Sequence, residues 1–281
     1  MRIEDFRPLV FSIILAILSS AVLAQTSAVT RTDTIQVNVD NHTIFLYSKG
    51  KGMHTIVMEA GLGASHNCWR AVDNALSANA RVITYDRPGY LSSDSCQKTR
   101  DAVTVAQELR QALQKAGVNP PYVLVGWSLG GSFARVFCGL FPDDVKGLVL
   151  VDPAPEESYA RFEKESPEAM QEDSFYFKEV FSSSRIGEKA ELHAFSMSMD
   201  QARKSDGKYT IPGILLIATH GKGFGRYVND PGNIVNRIWA EELVKWANKN
   251  PTINYRLVES GHHIAKERPE IVINAVLELM K

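Results

Sequence analysis

An α/β fold, with a mostly parallel sheet flanked by helices, is what this sequence predicts. Short apolar runs of the kind buried on both faces of a sheet recur at Thr55–Met58, Arg81–Tyr85, Tyr122–Val125 and Val145–Val151. Helical segments separate them, most clearly Ala102–Lys115, where Val103, Ala106, Leu109, Leu113 and Ala116 recur at helical spacing before Gly117 ends the run. Strands joined through helices cross over right-handedly, which places them parallel in one sheet with helices on both faces.

The elements follow in order. Met1–Arg7 carries two arginines and two acids, and Pro8–Leu23 is uncharged and mostly apolar. Val22 and Ala24 suit a signal peptidase, so residues 1–24 read as a secretory signal peptide, with an uncleaved membrane anchor as the alternative. The remaining 25–281 suit a single domain, expected to be secreted or periplasmic. Thr34–Val39 and His42–Tyr47, joined by Asp40-Asn41, read as an antiparallel hairpin. Helical spacing over Cys68–Leu76 puts Trp69, Val72 and Leu76 on one face.

Residues 156–210 break the strand–helix rhythm. This charged stretch holds Phe175, Tyr176, Phe177, Phe181, Phe195, Met197 and Met199, and reads as an inserted helical cap over an apolar pocket. The rhythm then resumes with strand Ile214–Ala218, helix Ile234–Ala247 (Ile238, Trp239, Leu243 and Trp246 inward), strand Asn254–Val258 and a helix opened by Pro269. In that last helix Ile271, Val272, Ala275, Val276 and Leu279 face the core.

A net charge of -1 with 22% charged residues excludes a strong field for nucleic acid or other polyanions. The histidines and cysteines show no metal-ligand spacing, and Gly61-x-Gly63 lacks the rest of a dinucleotide fingerprint, so neither metal nor cofactor is expected. Of the three cysteines, Cys138 reads as a small buried group, while Cys68 and Cys96 are either a disulfide or free thiols.

Chemistry concentrates at Gly126-Trp127-Ser128-Leu129-Gly130-Gly131, which follows a valine-rich strand and precedes a helix. This is G-x-S-x-G in the context of a nucleophile elbow, with Ser128 lifted on a sharp strand-to-helix turn. The Leu129 N–H opens the helix and points where negative charge would develop. A serine hydroxyl needs a base. Of seven histidines, His262 follows the last strand after Gly261, with His263 as runner-up; His42, His54, His66, His193 and His220 lack such placement.

Four stretches together resemble the α/β-hydrolase superfamily: Glu59-Ala60-Gly61-Leu62-Gly63, Tyr85-Asp86-Arg87-Pro88-Gly89-Tyr90, Gly126 to Gly131, and Ser260-Gly261-His262 with Glu267-Arg268-Pro269-Glu270. The resemblance implies an α/β-hydrolase fold, an eight-stranded sheet with strand two antiparallel and a cap after strand six. It implies Ser128 as nucleophile, His262 as base, and the backbone N–H groups of Leu62 and Leu129 as an oxyanion hole. Two departures stand out: Ala60 replaces the usual histidine before the first glycine, and Leu91 stands where glycine often follows the tyrosine.

The acid is less determined. The loop after Ala218 offers no carboxylate before Asp230; Asp152, at the end of strand six, leads, with Asp230 and Glu259 as alternatives. The expected activity is a serine hydrolase cleaving an ester-like bond of a small, partly apolar substrate through an acyl-enzyme. An acyltransferase, lactonase, amidase or C–C hydrolase would use the same residues, and a non-catalytic ligand-binding member would keep only the fold. The expected partner is a small molecule, with neither nucleic acid nor stable membrane insertion once the signal is cleaved.

Overall fold

The computed structural model describes residues 31–168, 185–220 and 234–281. The expected signal peptide lies outside these residues, as do Asp230 and the cap aromatics Phe175, Tyr176, Phe177 and Phe181.

The eight strands form one sheet in the order β1-β2-β4-β3-β5-β6-β7-β8. The strands are β1 Thr32–Val39, β2 His42–Lys49, β3 Thr55–Glu59, β4 Arg81–Asp86, β5 Tyr122–Trp127, β6 Val145–Val151, β7 Gly213–Ala218 and β8 Ile253–Val258. β2 runs antiparallel to both β1 and β4; all other pairings are parallel. The hairpin forms as the sequence predicts. Asp40 and Asn41 both take positive φ, 48° and 67°, the two-residue turn whose twist matches that of the strands.

The helices are α1 Arg70–Leu76, α2 Ala102–Lys115, α3 Leu129–Leu140, α4 Ser158–Glu165, α5 Ile186–His193, α6 Phe195–Ser205, α7 Ile234–Lys249, α8 Ile264–Glu267 and α9 Pro269–Glu278. Alternate residues of each central strand feed two cores. Leu124, Leu148, Leu150 and Leu215 pack with α2, α3 and α7. Val123, Val125, Val149 and Leu216 pack on the other face with α1 and α9. Central strands buried on both faces read as continuous apolar runs for this reason.

Three expectations shift in detail. On α2 the buried positions are Ala102, Val105, Ala106, Glu108, Leu109, Ala112 and Leu113, while Val103 and Ala116 are only partly buried. The helix packs against α3, α6 and β1, so its covered face is wider than one stripe. On α9, Val272, Ala275 and Val276 are buried, with Ile271 and Leu279 at the rim. Within the described part of 156–210, α6 joins the main helical layer: Met199 is buried in the core against α3, while Met197 is exposed.

Candidate active site

The strand-to-helix turn after β5 holds Ser128 at φ 55° and ψ -126°, a conformation non-glycine residues rarely adopt. Neighbouring backbone fixes it. The Ser128 N–H donates to the Val151 carbonyl at 3.2 Å, and the Ser128 carbonyl accepts from the Gly131 and Ala154 N–H groups at 2.9 and 3.2 Å. Gly126 is required, because a Cβ there would lie 2.5 Å from the Gly130 oxygen and 2.7 Å from the Gly131 Cα. Such strain is held by over-determined surroundings and clusters at functional sites. Ser128 itself is half-buried. Leu129 is the first residue of α3, so its N–H has no acceptor within the helix.

β6 lies between β5 and β7, and Trp127 pairs with Val151, so the residues that follow, Ser128 and Asp152, leave adjacent strand ends. Asp152 is fully buried and also has positive φ, 44°. Its N–H donates to the Leu216 carbonyl at 2.7 Å. One carboxyl oxygen accepts from the Ala218 N–H at 3.0 Å. The other lies 2.7 Å from Nδ1 of His262.

The structure thus brings together Asp152 and His262. Glu259 is exposed and takes no part in that pair, and Asp230 lies outside the described residues. No hydrogen bond joins Ser128 Oγ to His262 among the described residues, and such bonds are often long without substrate.

His262 is anchored from three directions. The Trp127 indole N–H donates to its carbonyl at 2.9 Å. Its ring lies 5.3 Å from Trp127 and edge-on to Trp239 at 5.6 Å. The preceding turn is tied to α8: Glu267 accepts from the Gly261 N–H at 2.7 Å and the Ser260 hydroxyl at 3.2 Å. His263 instead packs beside Trp127 at 4.4 Å between ring centres. Sequence reasoning missed Trp127 as an anchor, although its place beside the serine was visible.

It also missed the buried ionic layer behind the Leu62 loop. Arg87, 2% exposed, donates to the Ala60 carbonyl at 2.7 Å and to the Gly61 carbonyl at 2.8 Å. It also meets Glu59 at 2.8 Å and grips Glu191 of α5 with two bonds of 2.6 and 2.9 Å. Tyr85 donates to Glu59, and Tyr90 donates to Glu191 at 2.7 Å while accepting the Gly63 N–H at 3.2 Å. Burial opposes the Arg87 charge, but Glu191, Tyr90 and Glu59 outweigh it and hold the guanidinium pKa above its ordinary value. Burial raises the Glu59 carboxyl above the usual range, and Arg87 and Tyr85 offset this only in part.

The layer orients the loop. In a planar trans peptide the C=O and N–H point opposite ways. The Gly61 carbonyl is turned into Arg87, so the Leu62 N–H is turned away from it. Gly61 lies against the serine: a Cβ added there would come within 3.1 Å of the Ser128 Cβ.

A cavity of about 380 Å³ opens beside Trp127 and His263, lined also by Cys68, Trp69 and Ala265. Ser128 does not line it, so it is not the pocket expected beneath a cap. Burial pushes the Cys68 thiol up to about 12, which leaves it a poor nucleophile. Cys68, Cys96 and Cys138 are all free thiols, so the Cys68–Cys96 pair considered from sequence does not form. The two point to different surroundings, Cys68 to this cavity and Cys96 to Arg100 at 3.5 Å.

The sequence model of the alpha/beta hydrolase fold family matches residues 54–233, well over half of the chain. The chain belongs to that family. A pimeloyl-[acyl-carrier protein] methyl ester esterase of Hamiltonella defensa is 31% identical over 112 residues, covering 40% of this chain and 41% of the relative. The uncharacterized protein YbdG of Bacillus subtilis is 28% identical over 128 residues, 45% of this chain and 39% of its own. The matches thus span less than half the length of these curated relatives. Among solved structures, the naproxen esterase of Bacillus subtilis superposes with TM-score 0.61 at 17% identity, over 90% of this chain and 92% of that one. Cfl2 of Burkholderia cenocepacia gives TM-score 0.64 at 22% identity, over 90% and 97%. At these identities the structural likeness shows the shared fold alone.

Proposed function

We propose that the protein is a serine hydrolase that cleaves an ester-like bond of a small, partly apolar substrate through an acyl-enzyme. The observation that carries this reading is the 2.7 Å Asp152–His262 pair, set on the sheet edge where a strained turn lifts Ser128. Ser128 Oγ attacks the substrate carbonyl while His262 takes its proton through Nε2. Asp152 holds the Nδ1–H tautomer and stabilises the imidazolium. The N–H groups of Leu129 and Leu62 receive the oxyanion, each worth about 3 kcal/mol in the transition state. His262 then protonates the departing alcohol, and a water activated by the same histidine releases the acid.

Trp127 and Arg87 act as positioning residues, one through the His262 carbonyl and the other through the carbonyls of the Leu62 loop. A relative named for methyl ester cleavage supports an ester as the bond cleaved. Export with cleavage after Ala24 would release the mature domain.

Turnover of a series of short p-nitrophenyl esters tests the reading. Wild-type protein should hydrolyse them, and Ser128→Ala should retain the melting temperature while losing turnover. A folded wild type inert across ester, thioester and amide substrates would overturn it. Export is checked by the mature N-terminus, expected at Gln25.

A further inference from the structure

We propose that His42, Cys96 and Glu108 form a site for a divalent transition metal of the zinc class, which clamps the β1–β2 hairpin to α2. His42 opens β2, Cys96 lies in the segment between β4 and α2, and Glu108 projects from α2. One donor atom from each lies within 4.8 Å of the other two. Thiolate, imidazole and carboxylate together suit zinc, with a water completing a tetrahedron.

Two unpartnered acceptor atoms point into the cluster. His42 and Glu108 are 4% and 2% exposed, and neither His42 Nε2 nor Glu108 Oε1 has a hydrogen-bond partner among the described residues. Buried polar atoms are rarely left so. The two atoms face each other at 3.6 Å, beyond a good hydrogen bond. It is close to the separation of about 3.4 Å that two tetrahedral ligands at zinc–nitrogen and zinc–oxygen distances would have. A simple ion pair explains the cluster less well, because Glu108 already has a cationic partner: Arg100 donates to its other oxygen.

The surroundings suit coordination. His42 Nδ1 faces the Asp40 carbonyl at 3.4 Å, which leaves the Nε2 lone pair for a metal. Arg100 Nη1 donates to Cys96 Sγ at 3.5 Å, a contact that orients the sulfur. Binding releases the thiol proton to solvent, and the charges of Cys96 and Glu108 then neutralise the ion. Cys96 is half-buried, and a cavity of about 450 Å³ reaches Glu108 past Gln97, Lys98 and Thr104, giving an entry path. Two strands, β4 and β3, separate β2 from β5, so the site is distinct from the Ser128 edge.

The test uses the whole chain stripped with chelator and titrated with Co²⁺. A single equivalent should bind, with a thiolate-to-cobalt charge-transfer band and tetrahedral d–d bands that Zn²⁺ abolishes by displacement. Zn²⁺ should raise the melting temperature. Cys96→Ser should remove the charge-transfer band, and Cys96→Ser and His42→Gln should each weaken binding beyond the about 10- to 100-fold that loss of a ligand's hydrogen-bonding partner costs. Cys68→Ser should change nothing, and Cys96→Ser should leave ester turnover unaltered. Failure to take up a stoichiometric metal, or uptake unchanged in Cys96→Ser, overturns the proposal whatever the protein's hydrolytic activity.

Discussion

At the end of β6, both oxygens of a buried carboxylate are occupied, one by a backbone N–H and one by His262. Beside the hairpin, a second buried carboxylate has one oxygen satisfied by Arg100 and one facing an equally unpartnered histidine nitrogen. The contrast separates two kinds of buried polar cluster. A cluster whose groups satisfy one another is organised before any ligand arrives. One whose groups converge yet leave acceptors unpartnered is shaped to bind a ligand. Both hold a buried carboxylate facing a histidine; the pairing tells them apart.

Breaking the first cluster should have the largest effects. Ser128→Ala should lower kcat by about 10⁶-fold, the scale seen when one member of such a unit is lost. Thermal unfolding monitored alongside should show the fold intact. Asp152→Asn should follow at about 10⁴-fold, since the amide fixes the wrong tautomer of His262. Near-wild-type turnover in that variant would remove Asp152 from the acid role and direct attention to Asp230.

The ionic layer behind the Leu62 loop sharpens the comparison through stability. Arg87→Met leaves Glu59 and Glu191 buried without their cation and should cost about 3–5 kcal/mol by denaturant unfolding. Arg87→Lys should retain more stability yet lower kcat more than it raises KM, because a point charge cannot hold both loop carbonyls and Glu191 at once. If kcat is untouched in Arg87→Lys, the guanidinium does not position the loop.

The smallest effect concerns Asp86. Burial works to raise its pKa, but hydrogen bonds from His66, with that residue's charge, hold it below the ordinary carboxylate range. The unfolded chain therefore takes up a proton first as pH falls. The stability from this pair is complete above an unfolded carboxyl pKa of about 3.9 and is lost as pH drops through the folded value. Asp86→Asn should flatten that acid limb in a pH series of melting temperatures.

Much of the fold was legible because the signals were local. Strand Tyr122–Trp127 and its serine turn stand within a dozen residues, and the hairpin declares itself through Asp40-Asn41. The nearness of Asp152 to His262 was legible because Asp152 follows a strand predicted to neighbour the serine strand. Other features depend on long-range packing. Arg87 meets Glu191 across 104 positions, and no periodicity foretells that pairing. Met199 resembles a lid residue in sequence, yet α6 packs it into the main core. Glu108 is buried on α2, although its charge alone would suggest a solvated position. Its convergence with His42 and Cys96 is invisible to ligand-spacing rules, since each comes from a different element.

The central claim is that Ser128 is an activated nucleophile. Incubation of the folded protein with a fluorophosphonate, followed by intact mass and peptide mapping, tests it directly. One adduct is expected, on Ser128, absent in Ser128→Ala and slowed in His262→Ala. A folded wild-type protein that gains no mass, or an adduct mapped to another residue, would contradict it.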